Sequence, residues 1–237
     1  MEKEHRIGAR SVYKFWKYYY EGIEEEYEKT FGTPFPKHQI SLQPGDCVYV
    51  DLNKDGTIGN GDTSRELGIY TDDPEYTVGA NLGFSWKNWD VSMQFTGAWN
   101  VSRELTDTFR RPFLTPNVAD QGALMLYMYE NTWTPENPSQ SASYPRATVK
   151  GYINNYEPST LYVVNSSYLR MKSAQIAYNF NFPFMKKLKL NQFVLSLSGY
   201  NLFTLTGFKY GDPESKTSNS PEYPLTRTFA LGLKLGF

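Results

Sequence analysis

The protein has 237 residues, a formal net charge of -1 and a sequence pI near 6.2, so its composition gives no electrostatic case for nucleic-acid binding. One cysteine, Cys47, excludes an intrachain disulfide framework, and two histidines, His5 and His38, are too few and too isolated to predict a zinc site. Mean hydropathy is -0.56 and no apolar run reaches ~18 residues, so we expect no transmembrane helix, and the polar start MEKEHR predicts no secretion signal.

The aromatic content is high for so polar a chain. Aromatic residues make up 16% of the sequence, whereas all hydrophobic residues together reach 40%. Short alternating strands between long polar loops produce this combination. A membrane β-barrel averages out in this way, because each strand shows one face to lipid and the other to a polar lumen. A soluble β-sandwich rich in tyrosine is the alternative.

Residues 21–32 form the first distinct segment, EGIEEEYEKTFG, with three consecutive glutamates at 24–26. One interpretation is a short helix that exposes the glutamates. The other is a solvated loop, and we favour the loop.

An acidic loop follows at residues 51–62, DLNKDGTIGNGD. Oxygen ligands fall at its first, third, fifth, seventh and twelfth positions, and a glycine at the sixth allows a sharp bend, which is the spacing of a calcium loop. The twelfth residue is Asp rather than Glu, which predicts a weak site. We therefore predict structural Ca²⁺ binding, with an ion-free turn rich in Asp and Asn as the alternative. The candidate ligands are side-chain oxygens and one carbonyl, that of the threonine: Asp51, Asn53, Asp55, Thr57, Asp62.

The segments beside this loop do not predict helices. PGDCVYV, residues 44–50, is β-branched and aromatic after a Pro-Gly turn and predicts a strand. The following residues carry glycine, paired aspartates and proline without a helical apolar repeat. The loop is therefore not an EF-hand, and an ion in it would tie down a connection between strands.

Two pairs of segments predict antiparallel strands of membrane-spanning length. Residues 76–86 and 90–99 alternate apolar and polar side chains around the turn KNW, and tryptophans stand near the strand ends. Residues 168–182 and 192–203 repeat the plan around a turn at 183–191. Arg170 and Lys172 interrupt the apolar side of the third strand. The start of that strand therefore lies outside the apolar band, or a bulge shifts its register.

The connections 100–167 and 204–224 are long, whereas the turns at 87–89 and 183–191 are short, as in outer-membrane barrels with long extracellular loops. Four rings in the longer connection predict either sugar stacking or loop packing, and we favour packing: Trp133, Tyr144, Tyr152, Tyr156. Scattered acidic residues form no convincing pair, so we predict that the protein is not an enzyme.

The last segment, 227–237, predicts a fifth strand. Its apolar residues alternate without interruption up to the terminal residue, whereas soluble proteins usually end in a frayed polar tail. The segment resembles the C-terminal strand by which the barrel assembly machinery recognises outer-membrane barrels. The residues of this candidate assembly signal are Phe229, Leu231, Leu233, Leu235, Phe237.

Several blocks in order resemble the C-terminal part of SusC/RagA-type TonB-dependent transporters: VYVDLNKDGTIGNGD, SYLRMKSAQIAYNF, LSLSGYNLFTLTGFKYGDPE and YPLTRTFALGLKLGF. The resemblance covers roughly residues 8–237. It implies an all-β fold, here an antiparallel transmembrane β-barrel segment with about five spanning strands of a larger barrel and long extracellular loops. It also implies that the plug domain is absent from residues 1–237.

The resemblance further implies a place in the outer membrane of a Gram-negative, Bacteroidetes-like cell and contact with its lipid. The implied partners are a SusD-like lipoprotein that acts as a lid, TonB through the plug of the full-length protein, and an oligosaccharide or peptide substrate. The competing hypothesis is a secreted, calcium-stabilised β-sandwich that binds carbohydrate.

Overall fold

A computed structural model describes residues 8–65, 67, 69–111, 124–148, 154–186, 189–215 and 225–237. The chain divides into two compact units. The first comprises Met1–Asp72, Ser102–Val164 and Lys216–Pro221, and the second comprises Asp73–Val101, Asn165–Ser215 and Glu222–Phe237. Within the described ranges, no helix is long and apolar enough to cross a membrane.

The second unit is built on one antiparallel sheet of five strands, in the order β11-β10-β9-β6-β5. A two-residue turn joins strands β5 and β6, and Lys87 in it has φ +53°. The prediction of about five strands in one antiparallel sheet is confirmed. The strands are β5 (Tyr76–Trp86), β6 (Trp89–Trp99), β9 (Tyr168–Asn179), β10 (Gln192–Thr206) and β11 (Thr228–Gly236).

The strand limits differ from the prediction by more than one residue at two places. β9 ends at Asn179, so Phe180 and Phe182 lie beyond it rather than within a strand reaching 182. These two rings stack with centroids 5.1 Å apart, and the first also packs edge-on against Phe193 of β10 at 5.4 Å. Side-chain packing therefore continues where the strand stops. β10 extends to Thr206, three residues past the predicted end.

The other elements are short. Three two-stranded sheets pair β1 with β4, β2 with β3 and β7 with β8. Turns of 3₁₀-helix cover Asn60–Asp62, Asn154–Tyr156, Thr160–Tyr162 and Pro183–Lys186. The predicted strand in 44–50 is observed as β3. The elements are β1 (Val12–Tyr13), β2 (Phe15–Tyr18), α1 (Ile23–Phe31), β3 (Cys47–Tyr49), β4 (Thr63–Ser64), β7 (Ser102–Glu104), α2 (Asp107–Arg110), α3 (Leu126–Glu130) and β8 (Val163–Asn165).

Helix α1 corrects our preference for a loop at residues 21–32. Glycines with positive φ flank it, Gly22 at +89° and Gly32 at +68°, and Gly32 donates its N–H to the Glu28 carbonyl. Ile23 and Tyr27, four residues apart, are fully buried on one face. The glutamates at 24–26 stand in the first turn, where the helix dipole favours negative charge.

The first unit has an aromatic core of its own. Buried tyrosines fill it and donate their hydroxyls to backbone carbonyls, as Tyr18 does to Ala142 at 2.8 Å and Tyr49 does to Asn154 at 2.6 Å. These bonds satisfy the one polar atom of each ring, so the ring can be buried at little cost. Of the four rings predicted to pack, three are buried and Tyr152 lies outside the described residues. The buried three are Trp133, Tyr144, Tyr156.

Candidate functional site: the two sheet faces and the acidic loop

The large sheet presents one continuous apolar face. Directly paired residues of an antiparallel sheet point to the same face, so the register extends each strand's alternation across the sheet. Large apolar side chains on it are open to solvent; Leu197 is 50% exposed and Leu231 is 75% exposed. A continuous exposed apolar face that extends over five strands marks an interaction surface. One row across the face runs Phe84, Val91, Ile176, Leu197, Leu231.

The opposite face is polar. Hydroxyl, amide and small side chains alternate with the apolar ones on every strand of the sheet. The sheet therefore has one apolar face and one polar face. One row across the polar face runs Asn81, Gln94, Ser173, Tyr200, Thr228.

Aromatic rings stand at both ends of the apolar face, as predicted for the tryptophans. At the hairpin end, Trp86 pairs with Trp89, whose ring packs edge-on against Tyr178 with centroids 4.7 Å apart. At the other end, Tyr76 pairs with Trp99. Amphipathic rings at the two ends of strands about ten residues long are typical of a membrane-spanning sheet.

A bulge in β9 explains why Arg170 does not interrupt the apolar face. Lys172 has no partner in the register with β6 or β10, because Ser173 and Met171 pair with consecutive residues of β6. The extra residue reverses the alternation, so Arg170 pairs with Thr96 on the polar face. Of our two explanations for the charged residues in this strand, the structure shows the bulge.

The neighbouring strand β10 has a bulge opposite Lys172. Two of its residues, Asn201 and Leu202, have no partner in β9. Asn201 takes φ +52°, a conformation that asparagine tolerates better than most residues. Its side-chain amide donates to the Thr226 carbonyl at 3.3 Å and so ties the bulge to the approach to β11.

Arg170 is the centre of a buried ion cluster. It is 2% exposed and donates through Nη2 to both carboxylate oxygens of Asp212, at 2.7 and 2.8 Å. Its Nη1 bonds Glu214, and its Nε donates to the Thr204 hydroxyl at 2.9 Å. Lys172 reaches Glu214 from the bulge at 3.3 Å. Two cations thus balance two carboxylates and hold segment 207–215 against the polar face. The sequence pattern indicated that Arg170 is unusual in this strand, but it did not indicate its acidic partners, Asp212 and Glu214.

The acidic loop folds around its own carboxylates. Asp51 accepts hydrogen bonds from the N–H groups of Lys54 at 2.6 Å and Gly56 at 2.8 Å. Fully buried Asp62 accepts from the N–H groups of Leu52 and Gly59, both at 2.8 Å, and closes the loop. The residue at the twelfth position therefore contacts the start of the loop.

Asp55 is the exposed member of the loop. Hydrogen bonds from the Thr57 hydroxyl and N–H, and then from the Asn53 side chain, lower the pKa of its carboxyl. All six carboxylate oxygens of Asp51, Asp55 and Asp62 thus accept a hydrogen bond from the loop itself.

Each of these hydrogen bonds uses one lone pair of a carboxylate oxygen and leaves the second one for another ligand. Among the described residues, no group of three or more His, Cys, Asp or Glu side chains is arranged to hold a metal ion. The hydrogen bonds form successive turns closed by aspartate and asparagine side chains, so the loop is also held together by its own donors. Calcium binding by Asp51, Asn53, Asp55, Thr57 and Asp62 stays a prediction.

A proteolysis experiment separates the two forms of the loop. If the loop binds calcium, chelator and Asp55→Ala should both increase cleavage within residues 51–75, because they remove the ~1–3 kcal/mol by which a bound ion stabilises the loop. Glu136→Ala, which removes an exposed carboxylate elsewhere, is the matched control. A loop held only by its own hydrogen bonds should respond to Asp55→Ala and not to chelator, and that result would rule calcium out.

The candidate assembly signal forms the edge of the sheet. Phe229, Leu231, Leu233 and Leu235 point to the apolar face of β11, and Phe237 follows one residue after the strand ends. The Phe237 side chain is 81% exposed within these 237 residues.

Comparisons with known proteins agree with this geometry. No family model matches the chain. The TonB-dependent receptor P3 of Formosa agariphila is 28% identical over 246 residues, which cover 97% of this chain and 22% of that receptor. The TonB-dependent receptor SusC of Bacteroides thetaiotaomicron is 25% identical over 205 residues, which cover 82% of this chain and 18% of SusC.

The same fold occurs in a solved transporter. In its open-open state, the RagAB peptide importer matches 97% of this chain and 22% of its own chain, with a TM-score of 0.63 and 17% identity. In the closed-closed state the TM-score is 0.65, with 19% identity over 97% of this chain and 23% of that one. The chain is a relative of the SusC/RagA-type TonB-dependent transporters. It spans about a fifth of the length of these TonB-dependent relatives.

Proposed function

We propose that the chain is the C-terminal barrel portion of a SusC-like TonB-dependent transporter in the outer membrane. The observation that carries this proposal is the sheet with an exposed apolar face on one side and a polar face on the other. Lipid would cover the apolar face, and the polar face would line the lumen. Strands of 9 to 15 residues are long enough to cross a bilayer at a tilt.

The proposal extends to the partners of the full-length protein. The similarity to the RagAB peptide importer supports peptides as the imported ligand. Oligosaccharides as the alternative ligand, and a SusD-like lipoprotein as the lid, follow from the resemblance of the sequence blocks to SusC/RagA-type transporters. TonB would deliver energy through a plug domain that lies outside these 237 residues. We assign no catalytic reaction to the chain. Calcium in the acidic loop would have a structural role only.

The sheet architecture does not favour the secreted β-sandwich. A sandwich buries the apolar face of one sheet against a second sheet of similar size. In the described ranges, the other sheets have two strands each, and strongly exposed leucine and phenylalanine side chains remain on the large one. A soluble protein would expose this area to water at high cost.

Cell fractionation tests the proposed function. The full-length protein should be found in the outer-membrane fraction, and a tag on it should co-purify a surface lipoprotein. A soluble periplasmic protein followed in the same fractions controls for leakage. Recovery of the full-length protein in the soluble secreted fraction would contradict the proposal.

Deleting Phe237 should lower the amount of transporter in the outer membrane several-fold and leave the ligand affinity of the surviving molecules unchanged. The reason is that an exposed terminal ring adds little folding energy, so its loss acts through recognition by the assembly machinery. Phe237→Tyr, which keeps an aromatic end, should behave as the parent. Immunoblots of outer membranes measure the effect, and equal amounts for the deletion and the parent would show that Phe237 is not part of an assembly signal.

A further inference from the structure

Each of the two short turns of the large sheet carries a lysine at the hairpin end. Lys87 lies in the turn between β5 and β6, and Lys189 lies in the turn between β9 and β10. Because β6 is next to β9 in the sheet, these two turns are neighbours. The Asn179 N–H at the end of β9 donates to the Asn88 carbonyl of the first turn at 2.8 Å. The two lysines therefore belong to one end of one compact unit.

Both lysines adopt a backbone conformation that suits other residues better. Lys87 has φ +53° and Lys189 has φ +55°, in the left-handed region that asparagine and glycine enter more readily. Tight turns between strands usually contain Asn or Gly at such positions. A residue held in a sparsely populated region points to a role for its side chain. At both turns that side chain is a cation.

The ammonium group of Lys87 lies on the apolar side of the sheet. Its Nζ is 4.5 Å from the centroid of the Trp86 ring. Trp86 belongs to the apolar face, since it pairs with Trp89, whose partner in β9 is Tyr178 on that face. The Trp86 side chain is 56% exposed. The cation therefore stands beside a ring that the proposed barrel would place at the margin of the lipid.

A row of rings continues this margin across the hairpin end. Trp89 contacts Tyr178, and Tyr178 contacts Phe180, each pair with ring centroids 4.7 Å apart. Phe180 in turn contacts Phe193 of β10 at 5.4 Å. The row thus leads from the β5–β6 turn to the start of β10. Tryptophan and tyrosine prefer the level of the lipid headgroups, so this row marks the level at which the two lysines would lie.

The two lysines are open to an external anion. In the described ranges, Lys87 and Lys189 are exposed, and neither forms an ion pair with an acidic side chain or with the carboxylate of Phe237. Asp90 lies close in sequence, but it accepts a hydrogen bond from the Ser85 hydroxyl at 2.6 Å on the polar face. The sequence of the turn 183–191, PFMKKLKLN, contains two more lysines. A positively charged margin of this kind attracts an anion.

We propose that the hairpin end binds the phosphate of an anionic phospholipid, such as phosphatidylglycerol, in the leaflet on the side of the short turns. Lys87 and Lys189 donate to the phosphate, and the exposed rings contact the glycerol and acyl chains. A zwitterionic phospholipid has the same phosphate, but its own cation cancels the charge, so the lysines attract it less. The inference rests on the proposed barrel in the outer membrane and adds a lipid partner at its short turns.

Native mass spectrometry of the full-length protein in a neutral detergent tests the proposal with two probes, phosphatidylglycerol and phosphatidylcholine with the same acyl chains. The parent should retain phosphatidylglycerol at least about tenfold better, because each lysine near an anionic lipid contributes a factor of roughly five. The double variant Lys87→Asn, Lys189→Asn should lower phosphatidylglycerol retention about tenfold, and each single variant severalfold. Added salt should weaken retention by the parent.

Asparagine is chosen because it removes the charge and also suits the left-handed backbone, so the double variant should unfold at the same temperature as the parent or higher. The matched control is Lys29→Gln, which removes one exposed positive charge from α1 in the first unit. It should change retention less than about twofold.

Three results would overturn the lipid site. They are equal retention of the two lipids by the parent, unchanged retention of phosphatidylglycerol by the double variant, and displacement of the lipid by an equal concentration of inorganic phosphate. A lower unfolding temperature of the double variant in neutral detergent would show instead that the lysines support the turns, which also contradicts the proposal.

These outcomes are distinct from failure of the proposed function. If the parent shows no preference for the anionic lipid but is found in the outer membrane with its lipoprotein, the lipid site is wrong and the transporter proposal stands. A protein recovered in the soluble fraction would remove the basis of both.

Discussion

Replacing Arg170 with methionine is expected to destabilise the folded protein by about 3–5 kcal/mol, because the change leaves two carboxylates without their buried counter-ion. Asp212 and Glu214 have side chains 12% and 28% exposed, so water can solvate them only in part. Segment 207–215 should then leave the polar face. Protease cleavage in this segment and the urea midpoint of the refolded protein measure the two effects.

Lys172→Met is the matched control for this prediction. It removes a cation from the same cluster, but the lysine side chain is 42% exposed and makes one ion pair at 3.3 Å. Ion pairs at that exposure contribute ~0–1 kcal/mol. Equal destabilisation by the two substitutions would mean that the cluster does not hold the segment.

Leu197→Arg is expected to destabilise the barrel in lipid by about 2–4 kcal/mol, whereas Ser198→Arg should cost about 1 kcal/mol or less. The two residues are neighbours on β10 and point to opposite faces: Leu197 pairs with Leu231 on the apolar face, and Ser198 pairs with Ala230 on the polar face. Only the first arginine would have to enter hydrocarbon. The pair therefore tests which side of the sheet meets lipid.

Unfolding in urea should be measured in lipid vesicles and repeated in detergent micelles. The difference between the two variants should be largest in vesicles, because micelles deform around a charge more easily than a bilayer does. A larger cost for Ser198→Arg than for Leu197→Arg would reverse the assignment of the two faces.

The spanning strands could be predicted from the sequence because their signal is local. A period of two along 76–86 or 227–237 is visible without knowledge of any partner strand. The exposed apolar face follows from the same alternation. The bulge at Lys172 was predictable as one of two explanations, because a charge on an apolar stripe violates the pattern. Its position required the register of both neighbouring strands.

The first unit could not be predicted because its contacts join distant parts of the chain. The Cys47 N–H donates to the Asn155 side chain at 2.9 Å across 108 residues, and buried Asp46 binds Arg146 at 2.5 Å across 100. No local pattern indicates such pairs. Helix α1 was a different kind of error. Its buried residues repeat every four positions from Ile23, but the run of glutamates outweighed that signal in our interpretation.

The acidic loop shows why metal ligands cannot be assigned from the spacing of Asp and Asn residues in the sequence alone. The same aspartates and asparagine that would surround an ion also accept hydrogen bonds from the N–H groups of a tight turn. Sequence spacing alone does not distinguish these two uses, because both need short oxygen-bearing side chains at the same positions.

The unpaired residue Lys172 reverses the alternation of side chains between the two faces within β9. Odd-numbered residues from Leu169 to Met171 share the face that even-numbered residues occupy from Ala174 onward. Removing Lys172 alone would leave Met171 on the apolar face and Arg170 on the polar face, because Ser173 and Met171 already pair with consecutive residues of β6. A single deletion here should therefore remove the bulge and keep both faces of the sheet, whereas pairing Lys172 in a regular ladder would bring Arg170 to the apolar face. An unpaired residue within a strand thus determines which face the neighbouring side chains occupy, and the polar position of Arg170 depends on Lys172 staying outside the strand pairing.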